Sequence, residues 1–163
     1  YLEMSYGQWI NQMTSSKDNL LLLDSDGKGL KHPFHNFDSA SGIIYEVDVT
    51  KPAGHRVMIK SMADGTPFDK DSRYMVAMNS YRAHGGGGLL TKGAGITHEQ
   101  MLKRIEYTTT ADLRFYLLNY IEMKKTITPQ SLQQWKFVPE RWAKIAGERK
   151  IYRDRKLGPL LIA

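Results

Sequence analysis

The sequence predicts an α+β fold, in which a mixed or antiparallel sheet is flanked by helices. Some segments alternate apolar and polar residues with the period of a strand, and others repeat apolar residues with the spacing of one helix face. The two patterns do not alternate along the chain as they do in a parallel α/β sheet. The 163 residues of the chain are the usual length of one domain. We expect that domain over residues 1–143 and a basic tail over residues 144–163.

Composition excludes several classes of protein. The chain has no cysteine, which rules out disulfides, zinc–thiolate sites, iron–sulfur clusters and cysteine nucleophiles. No apolar run approaches the ~18 residues of a membrane span, so we expect no membrane partner. The chain opens with YLEMSYGQWINQM, inside a helical pattern and without a signal peptide, so we expect it to be a fragment.

The first half of the chain predicts a helix and three strands. Apolar spacing indicates a helix over residues 2–14, and glycines mark a turn at residues 26–29. The segment GIIYEVDVT predicts a strand that pairs with HRVMIKSM in a hairpin. One face of the first strand carries its apolar residues: Ile43, Tyr45, Val47 and Val49. The run RYMVAMNSY, residues 73–81, is the most strand-like of all.

The second half predicts mainly helices. Thr97 followed by Gln100 is a capping box, which predicts a short helix over residues 96–104. A stripe of apolar residues predicts a longer helix that begins near Thr110. The residues between and after these helices predict a brief strand at IEYTT (105–109) and a last short turn of helix capped by Thr128-Pro129. They also predict a strand or docking segment at WKFVPERW (135–142).

The residues contain no evident catalytic centre. The five histidines do not follow HxH, HxxxH or HExxH spacing, and DSDG at residues 24–27 lacks the closing glutamate of a calcium loop. No GxSxG nucleophile elbow is present, and the carboxylates are scattered rather than paired. We therefore expect neither a catalytic residue nor a metal site in this chain.

A glycine run and two aromatic loops are the candidate binding elements. Residues 84–88 read HGGGG and lack the GK[ST] ending of a P-loop. Consecutive glycines suggest backbone that turns sharply or approaches a ligand closely, and a flexible surface loop is the alternative. Tyr81 lies just before this run, whereas Phe34 and Phe37 lie in a loop before a strand. Two facing aromatics can clamp a flat ring, and core packing is the alternative for Phe34 and Phe37.

The chain resembles the C-terminal domain of the bacterial 5′-nucleotidase family in three segments, FDSASGIIYEVDVTKPAGHRV, SMADGTPFDKDSRYMVAMNSYRAHGGGG and DLRFYLLNYIE. The branch that it resembles is that of the 2′,3′-cyclic-nucleotide 2′-phosphodiesterase/3′-nucleotidases, whose glycine loop begins NxYR. The resemblance covers about residues 1–140 and leaves out the ending IAGERKIYRDRKLGPLLIA.

This resemblance implies a nucleotide- or nucleoside-binding domain of a phosphoric ester hydrolase. The base would be stacked between Phe37 and Tyr81, because any base offers a flat π-face to an aromatic pair. The further binding residues that the resemblance implies are Asn79, Arg82, Gly85 and Gly86. Catalysis and two divalent metals would belong to an N-terminal metallophosphoesterase domain of the same polypeptide. We expect the present chain alone to be inactive.

Three departures from the family pattern accompany the resemblance, and the first is the absence of the metallophosphoesterase domain. A strand-rich upstream part with an Asn-Gly-Gly…Arg element would be missing. Gly87 stands where 5′-nucleotidases proper carry an aspartate that bonds the ribose hydroxyls, which favours the cyclic-phosphodiesterase branch. The family also implies a periplasmic or cell-surface location.

Two other functions stay open. Seven Lys and Arg residues over positions 141–156 are compatible with a basic module that binds nucleic acid or another anionic surface. A solvated, frayed segment explains these charges as well, and we do not expect a nucleic-acid partner. The third class is a structural interaction domain. A nucleotide pocket would bind single nucleosides almost independently of salt, whereas a basic patch would bind polymers at low salt.

Overall fold

The computed structural model describes residues 1–7 and 37–141. It divides into two compact units, which we describe separately. The sheet unit comprises Tyr1–Ser72 and Leu132–Ala163, and the glycine unit comprises Arg73–Ser131. The predicted turn at residues 26–29 and the predicted tail at residues 144–163 lie outside the described residues.

A three-stranded mixed sheet forms the centre of the sheet unit. Strand β1 (Ile43–Asp48) pairs antiparallel with β2 (Val57–Met62) and parallel with β3 (Trp135–Val138), in the order β2-β1-β3. The predicted hairpin is therefore confirmed, as is a strand at WKFV. Helices accompany this mixed sheet, so the α+β class is confirmed.

A short helical segment, α1 (residues 2–7), is tied to the hairpin. The Glu3 carboxylate accepts hydrogen bonds from the backbone N–H groups of Gly54, Arg56 and Val57, at 2.9, 2.6 and 2.6 Å. A single side chain thereby satisfies three donors of the β1–β2 turn and the start of β2. The remainder of the helix predicted over residues 2–14 lies outside the described residues.

Tyr45 and Val47 of β1, with Tyr6 of α1 and Val49, form the buried core. The alternation of β1 places these side chains on one face, as the sequence predicts. The Tyr6 and Tyr45 hydroxyls lie 2.8 Å apart, and the Ala40 N–H donates to the Tyr45 hydroxyl at 3.0 Å. Burial raises the pKa of both phenols above its ordinary value, and their mutual hydrogen bond raises that of Tyr6 further. Both tyrosines therefore stay protonated in the folded state.

The opposite face of the sheet carries charged residues. The Glu46 carboxylate lies 3.0 Å from the Lys60 ammonium and 3.8 Å from that of Lys136, which come from the two neighbouring strands. Such exposed cross-strand pairs add little stability, but they keep this face polar.

The glycine unit contains short helices and tight turns. These are α2 (Ser80–Ala83), a 3₁₀ turn (Gly86–Gly88), a π turn (Leu89–Gly93), α3 (His98–Lys103) and α4 (Leu113–Lys124). The capping box that begins α3 is present in both directions between Thr97 and Gln100, as predicted. Helix α4 begins where the Asp112 carboxylate accepts from the Phe115 N–H at 2.9 Å, so the predicted second helix is confirmed too.

Three predicted elements of this part of the chain are wrong. Residues 73–79 form no strand, although they alternate like one, because no described strand pairs with them and a strand needs a backbone partner. The strand predicted at residues 105–109 fails for the same reason. The short turn of helix that Thr128-Pro129 was predicted to cap does not form, because residues 127–134 contain no helix and a single turn is unfavourable without further helix to extend it.

The glycine unit buries little of its apolar surface. Leu89 and Met101 are its buried apolar side chains among the described residues, and no side chain of α4 is buried. None of the helices in the described part of the chain is long and apolar enough to cross a membrane.

Candidate functional site

Helix α2 begins at an asparagine cap. Asn79 has extended backbone, and its side-chain Oδ1 accepts a hydrogen bond from the Arg82 N–H at 2.9 Å. Asparagine is among the preferred residues at this position because it satisfies an N–H that the helix cannot. The strand predicted over residues 73–81 is therefore wrong at its end, where the chain forms one turn of helix after Asn79. Tyr81 lies in this helical turn.

Three of the four glycines after α2 have left-handed backbone. Gly85, Gly87 and Gly88 have φ angles of 88°, 73° and 74°, a region that other residues enter only with strain. At Gly85 a Cβ would also lie 3.1 Å from the Met101 Cε. The glycine run is therefore a defined turn packed on the small core of its unit. This geometry explains why the sequence uses glycine there.

Gly86 is required for a different reason, which is the closeness of Tyr81. A Cβ on Gly86 would lie 2.5 Å from the Tyr81 Cε2 atom and equally close to the Tyr81 carbonyl oxygen. The glycine backbone therefore lies against the edge of the tyrosine ring. The ring itself is 60% exposed, so Tyr81 is an exposed aromatic held in place by backbone.

The buried side chain of Arg82 stabilises the same turn. Its side chain is 5% exposed, and its Nη1 donates to the Gly86 carbonyl at 3.1 Å. The guanidinium carbon lies 5.3 Å from the centroid of the Tyr81 ring, within the range of a cation–π contact. Arg82 therefore holds both the turn and the ring.

His84 closes α2. Its backbone N–H and its ring Nδ1 both contact the Ser80 carbonyl oxygen, at 3.0 and 2.7 Å. The imidazole is thus folded back along the helix towards the residue that precedes Tyr81, and the side chain is exposed.

The charge of this region is positive. Residues 79–95 contain Arg82 and Lys92 and no carboxylate. Within residues 1–7 and 37–141, no three histidine or carboxylate side chains are grouped so that they could hold a metal ion. The region is suited to hold an anion or a flat ring.

Phe37, the other predicted stacking residue, belongs to the sheet unit. Its ring is partly buried and meets the Tyr6 ring edge to face, with centroids 4.9 Å apart. The Trp135 ring lies 5.9 Å away. Phe37 therefore contributes to the edge of the core, and its role in stacking stays a prediction. Phe34 lies outside the described residues.

The structure brings together five of the six predicted site residues in one turn: Asn79, Tyr81, Arg82, Gly85 and Gly86. Phe37 lies in the other unit. No sequence pattern indicated the contact of the His84 ring with the Ser80 carbonyl. The close approach of Gly86 to Tyr81 is likewise not visible in any sequence pattern.

The small mixed sheet and the glycine turn define an α+β domain whose described residues contain no metal-binding cluster. The family model described as "5′-nucleotidase, C-terminal domain" matches residues 6–92. The match covers more than half of the chain, so the chain belongs to the 5′-nucleotidase C-terminal-domain family.

Curated relatives extend the match along most of the chain. The trifunctional nucleotide phosphoesterase protein YfkN of Bacillus subtilis is 30% identical over 151 residues, which is 85% of this chain. A 2′,3′-cyclic-nucleotide 2′-phosphodiesterase/3′-nucleotidase of Haemophilus influenzae is 31% identical over 156 residues, and one of Salmonella typhimurium is 29% identical over 154. Each of these two also covers 85% of this chain.

These relatives are much longer than the present chain. The chain spans 9% of the Bacillus protein and 22% of each of the other two. No solved structure matches the chain.

Proposed function

We propose that this chain is the nucleotide-binding part of a nucleotidase or 2′,3′-cyclic-nucleotide phosphodiesterase, and that Tyr81 stacks on the base. The observation that carries the proposal is the ring of Tyr81, which is exposed and yet fixed. A tyrosine that serves the core is buried, and an incidental surface tyrosine needs neither the Gly86 backbone nor the Arg82 guanidinium against it. A nucleobase offers the flat surface that such a ring accepts, whatever the base.

The surrounding charge supports a ligand with a phosphate. Residues 79–95 carry two cationic side chains and no anionic one, so the local potential attracts an anion. Arg82 already bonds the Gly86 carbonyl, and we therefore assign it to shaping the turn. Lys92, in the π turn that follows, is the second source of positive charge.

Phe37 is the second stacking ring in the proposal. Its edge-to-face contact with Tyr6 would keep the ring in one orientation, as a stacking surface requires. Substitution of Phe37 tests its stacking role separately from that of Tyr81.

Hydrolysis belongs, in this proposal, to another part of the polypeptide. The relatives named as phosphoesterases and phosphodiesterases are several times longer than the matched segment. We assign the divalent metals and the catalytic residues to a metallophosphoesterase domain in that additional length. The present chain supplies the contacts that position the nucleotide.

The expected affinity is low. Aromatic stacking contributes about 1–3 kcal/mol per base contact, and a millimolar complex needs about 4 kcal/mol. Two stacking rings without metal ions therefore give a dissociation constant in the millimolar range.

A calorimetric titration with adenosine and with 3′-AMP at two salt concentrations tests the proposal. We expect saturable binding that changes little with salt, and we expect Tyr81→Ala to abolish it. The matched control is Tyr107→Ala, because Tyr107 is an exposed tyrosine of the same unit to which we assign no ligand. Phe37→Leu should weaken binding while keeping an apolar side chain beside Tyr6.

Other outcomes would contradict the proposal. Equal affinity in the wild type and in Tyr81→Ala, with unchanged circular dichroism, would remove Tyr81 from the site. Binding of polynucleotides alone, and only at low salt, would instead favour the basic segment at residues 141–156 as an electrostatic module.

A further inference from the structure

We propose that Met101 of α3 positions the Tyr81 ring, because it holds Gly85 and the glycine turn in place. This inference rests on the proposed function, since Tyr81 is the ring that we assign to the base. Met101 acts on the ligand only through Tyr81. The observation behind the inference is the packing of Met101 against the Gly85 backbone.

Met101 is the buried side chain of α3. It is 5% exposed, whereas the other five residues of this helix are exposed. A Cβ built on Gly85 would lie 3.1 Å from the Met101 Cε and 3.7 Å from the Met101 Sδ. The end of the Met101 side chain therefore packs against the Gly85 backbone and occupies the space that a larger residue at position 85 would need.

Gly85 needs such a contact because of its backbone conformation. Its φ angle of 88° lies in the left-handed region, which glycine enters at little cost and leaves as easily. The Gly85 N–H donates to the Arg82 carbonyl at 2.9 Å, and the Gly85 carbonyl accepts from the Gly88 N–H at 3.0 Å. The Met101 side chain adds a packing contact to these two hydrogen bonds and so favours this conformation of the turn.

A shift at Gly85 would reach Tyr81 through the next residue. Gly86 follows directly, and a Cβ on Gly86 would lie 2.5 Å from the Tyr81 ring. Arg82 joins the same residues, because its carbonyl accepts from the Gly85 N–H and its Nη1 donates to the Gly86 carbonyl. A continuous series of contacts and bonds therefore leads from Met101 to the exposed ring.

Helix α3 gives Met101 a defined position. The Met101 N–H donates to the Thr97 carbonyl at 2.9 Å, and Thr97 forms the reciprocal capping box with Gln100. Before the helix, the Ala94 N–H donates to the Leu89 carbonyl at 3.0 Å, so the chain folds back after the glycine turn.

The small core of the glycine unit makes Met101 important. Leu89 and Met101 are its buried apolar side chains among the described residues. Few neighbours can therefore fill the space that Met101 would leave, and we expect its loss to loosen the turn.

Three variants test the inference: Met101→Ala, Met101→Leu and Leu102→Ala. The first removes the atoms that reach Gly85 and does not weaken α3, because alanine is the best helix former. Leucine keeps an apolar side chain of similar volume. Leu102 is the neighbouring residue and is 52% exposed, so Leu102→Ala is the matched control. Each variant is titrated with adenosine by NMR.

Amide exchange is the second measurement. It compares the Gly88 N–H, which bonds the Gly85 carbonyl, with the Arg104 N–H, which bonds the Met101 carbonyl at the end of α3. If Met101→Ala does not fold, Met101→Val takes its place, because valine lacks the thioether end but removes less buried carbon.

Met101→Ala should weaken adenosine binding about two- to tenfold, since a side chain that must be ordered on binding costs affinity. The Gly88 N–H should exchange faster, whereas the Arg104 N–H should keep its wild-type rate. A general loss of stability would accelerate both. Met101→Leu should restore most of the affinity, and Leu102→Ala should bind like the wild type.

The outcomes separate this inference from the proposed function. The inference is wrong if folded Met101→Ala binds adenosine like the wild type, or if Leu102→Ala loses as much affinity as Met101→Ala. Equal acceleration of exchange at Gly88 and Arg104 would assign Met101 to stability alone. Tyr81-dependent binding by the wild type would still support the nucleotide site in these cases. If the wild type binds no adenosine, the proposed function is wrong and the role of Met101 fails with it.

Discussion

Two tyrosines of the sheet unit, Tyr6 and Tyr45, lie inside its core, whereas the tyrosines of the glycine unit are exposed. Tyr6 and Tyr45 are 0% and 1% exposed, and their hydroxyls bond each other. Tyr81 and Tyr107 are 60% and 79% exposed. Burial of a ring together with a satisfied hydroxyl stabilises a fold, and an exposed ring does not. The same residue type therefore contributes to stability in one unit and is available for binding in the other.

Tyr81 differs from Tyr107 within the glycine unit. The ring of Tyr81 has the Gly86 backbone at its edge and the Arg82 guanidinium nearby. A ring restrained before the ligand arrives loses less conformational freedom on binding. Restraint rather than exposure is thus what distinguishes Tyr81, the base-stacking residue of the proposed site, from Tyr107.

The largest effect is expected from Tyr45→Ala. The substitution removes a buried ring and leaves the Tyr6 hydroxyl and the Ala40 N–H without their partner. We expect it to lower the free energy of unfolding by about 3–5 kcal/mol, as measured by urea denaturation. Tyr107→Ala should change that free energy by less than about 0.5 kcal/mol. Similar values for the two variants would contradict the contrast between the units.

The next effect is a loss of stability at alkaline pH. The pKa of a tyrosine phenol in the unfolded chain is 10.0, and burial raises that of Tyr6 and Tyr45 in the folded chain. Their stabilising contribution is therefore complete below pH 10 and is lost as the pH rises above it. The free energy of unfolding should fall by about 1.4 kcal/mol per tyrosine for each pH unit. Tyr6→Phe removes one of the two phenols and should make this decline less steep. An equally steep decline in Tyr6→Phe would show that ionisation of Tyr6 does not cause the loss of stability.

Gly86→Ala should disturb the site by a moderate amount. The new Cβ would lie 2.5 Å from the Tyr81 ring and from its carbonyl oxygen, so the ring or the turn must move at a cost of about 1–3 kcal/mol. We expect adenosine binding to disappear in calorimetric titrations. Gly95→Ala is the control for backbone strain without a contact, because a Cβ there meets no atom within 4 Å while the positive φ is strained for any other residue. Binding retained by Gly86→Ala would show that the close contact is not needed.

Asn79→Ala should have the smallest effect. It removes the side-chain acceptor of the Arg82 N–H, which costs about 1 kcal/mol at a helix start. Helix α2 has only four residues, so the loss of its cap should destabilise the local turn rather than the whole fold. We therefore expect faster amide exchange at Arg82 and a modest loss of adenosine affinity. Asn79→Asp keeps the acceptor and should behave like the wild type. An unchanged exchange rate in Asn79→Ala would mean that the cap does not hold the turn.

The sheet unit could be predicted from sequence because its signals are local. The two-residue alternation of β1 and the turn at residues 51–54 suffice to predict the hairpin. The contact of Glu3 with the hairpin could not be predicted, since 51 to 54 residues separate the partners. Strand pairing is equally non-local, which is why the alternation at residues 73–79 was misleading.

The candidate site was predictable in its residues but not in its geometry. The NSYR and HGGGG runs predicted Tyr81 and the glycines as candidate binding residues. The structure places them in one turn. The exposure of the Tyr81 ring and its contact with Gly86 depend on how the turn folds. Asn79 is a preferred residue type at a helix N-cap and could have predicted the start of α2. The apolar alternation before it predicted a strand instead.

The most direct test of the nucleotide site is an NMR titration of the isotopically labelled chain with adenosine. Amide resonances of residues 79–89 should shift in a saturable way, and those around Tyr107 should stay in place. The same titration of Tyr81→Ala should leave residues 79–89 unshifted. Shifts confined to residues 141–156, or equal shifts in Tyr81→Ala and the wild type, would contradict the assignment of the base to Tyr81.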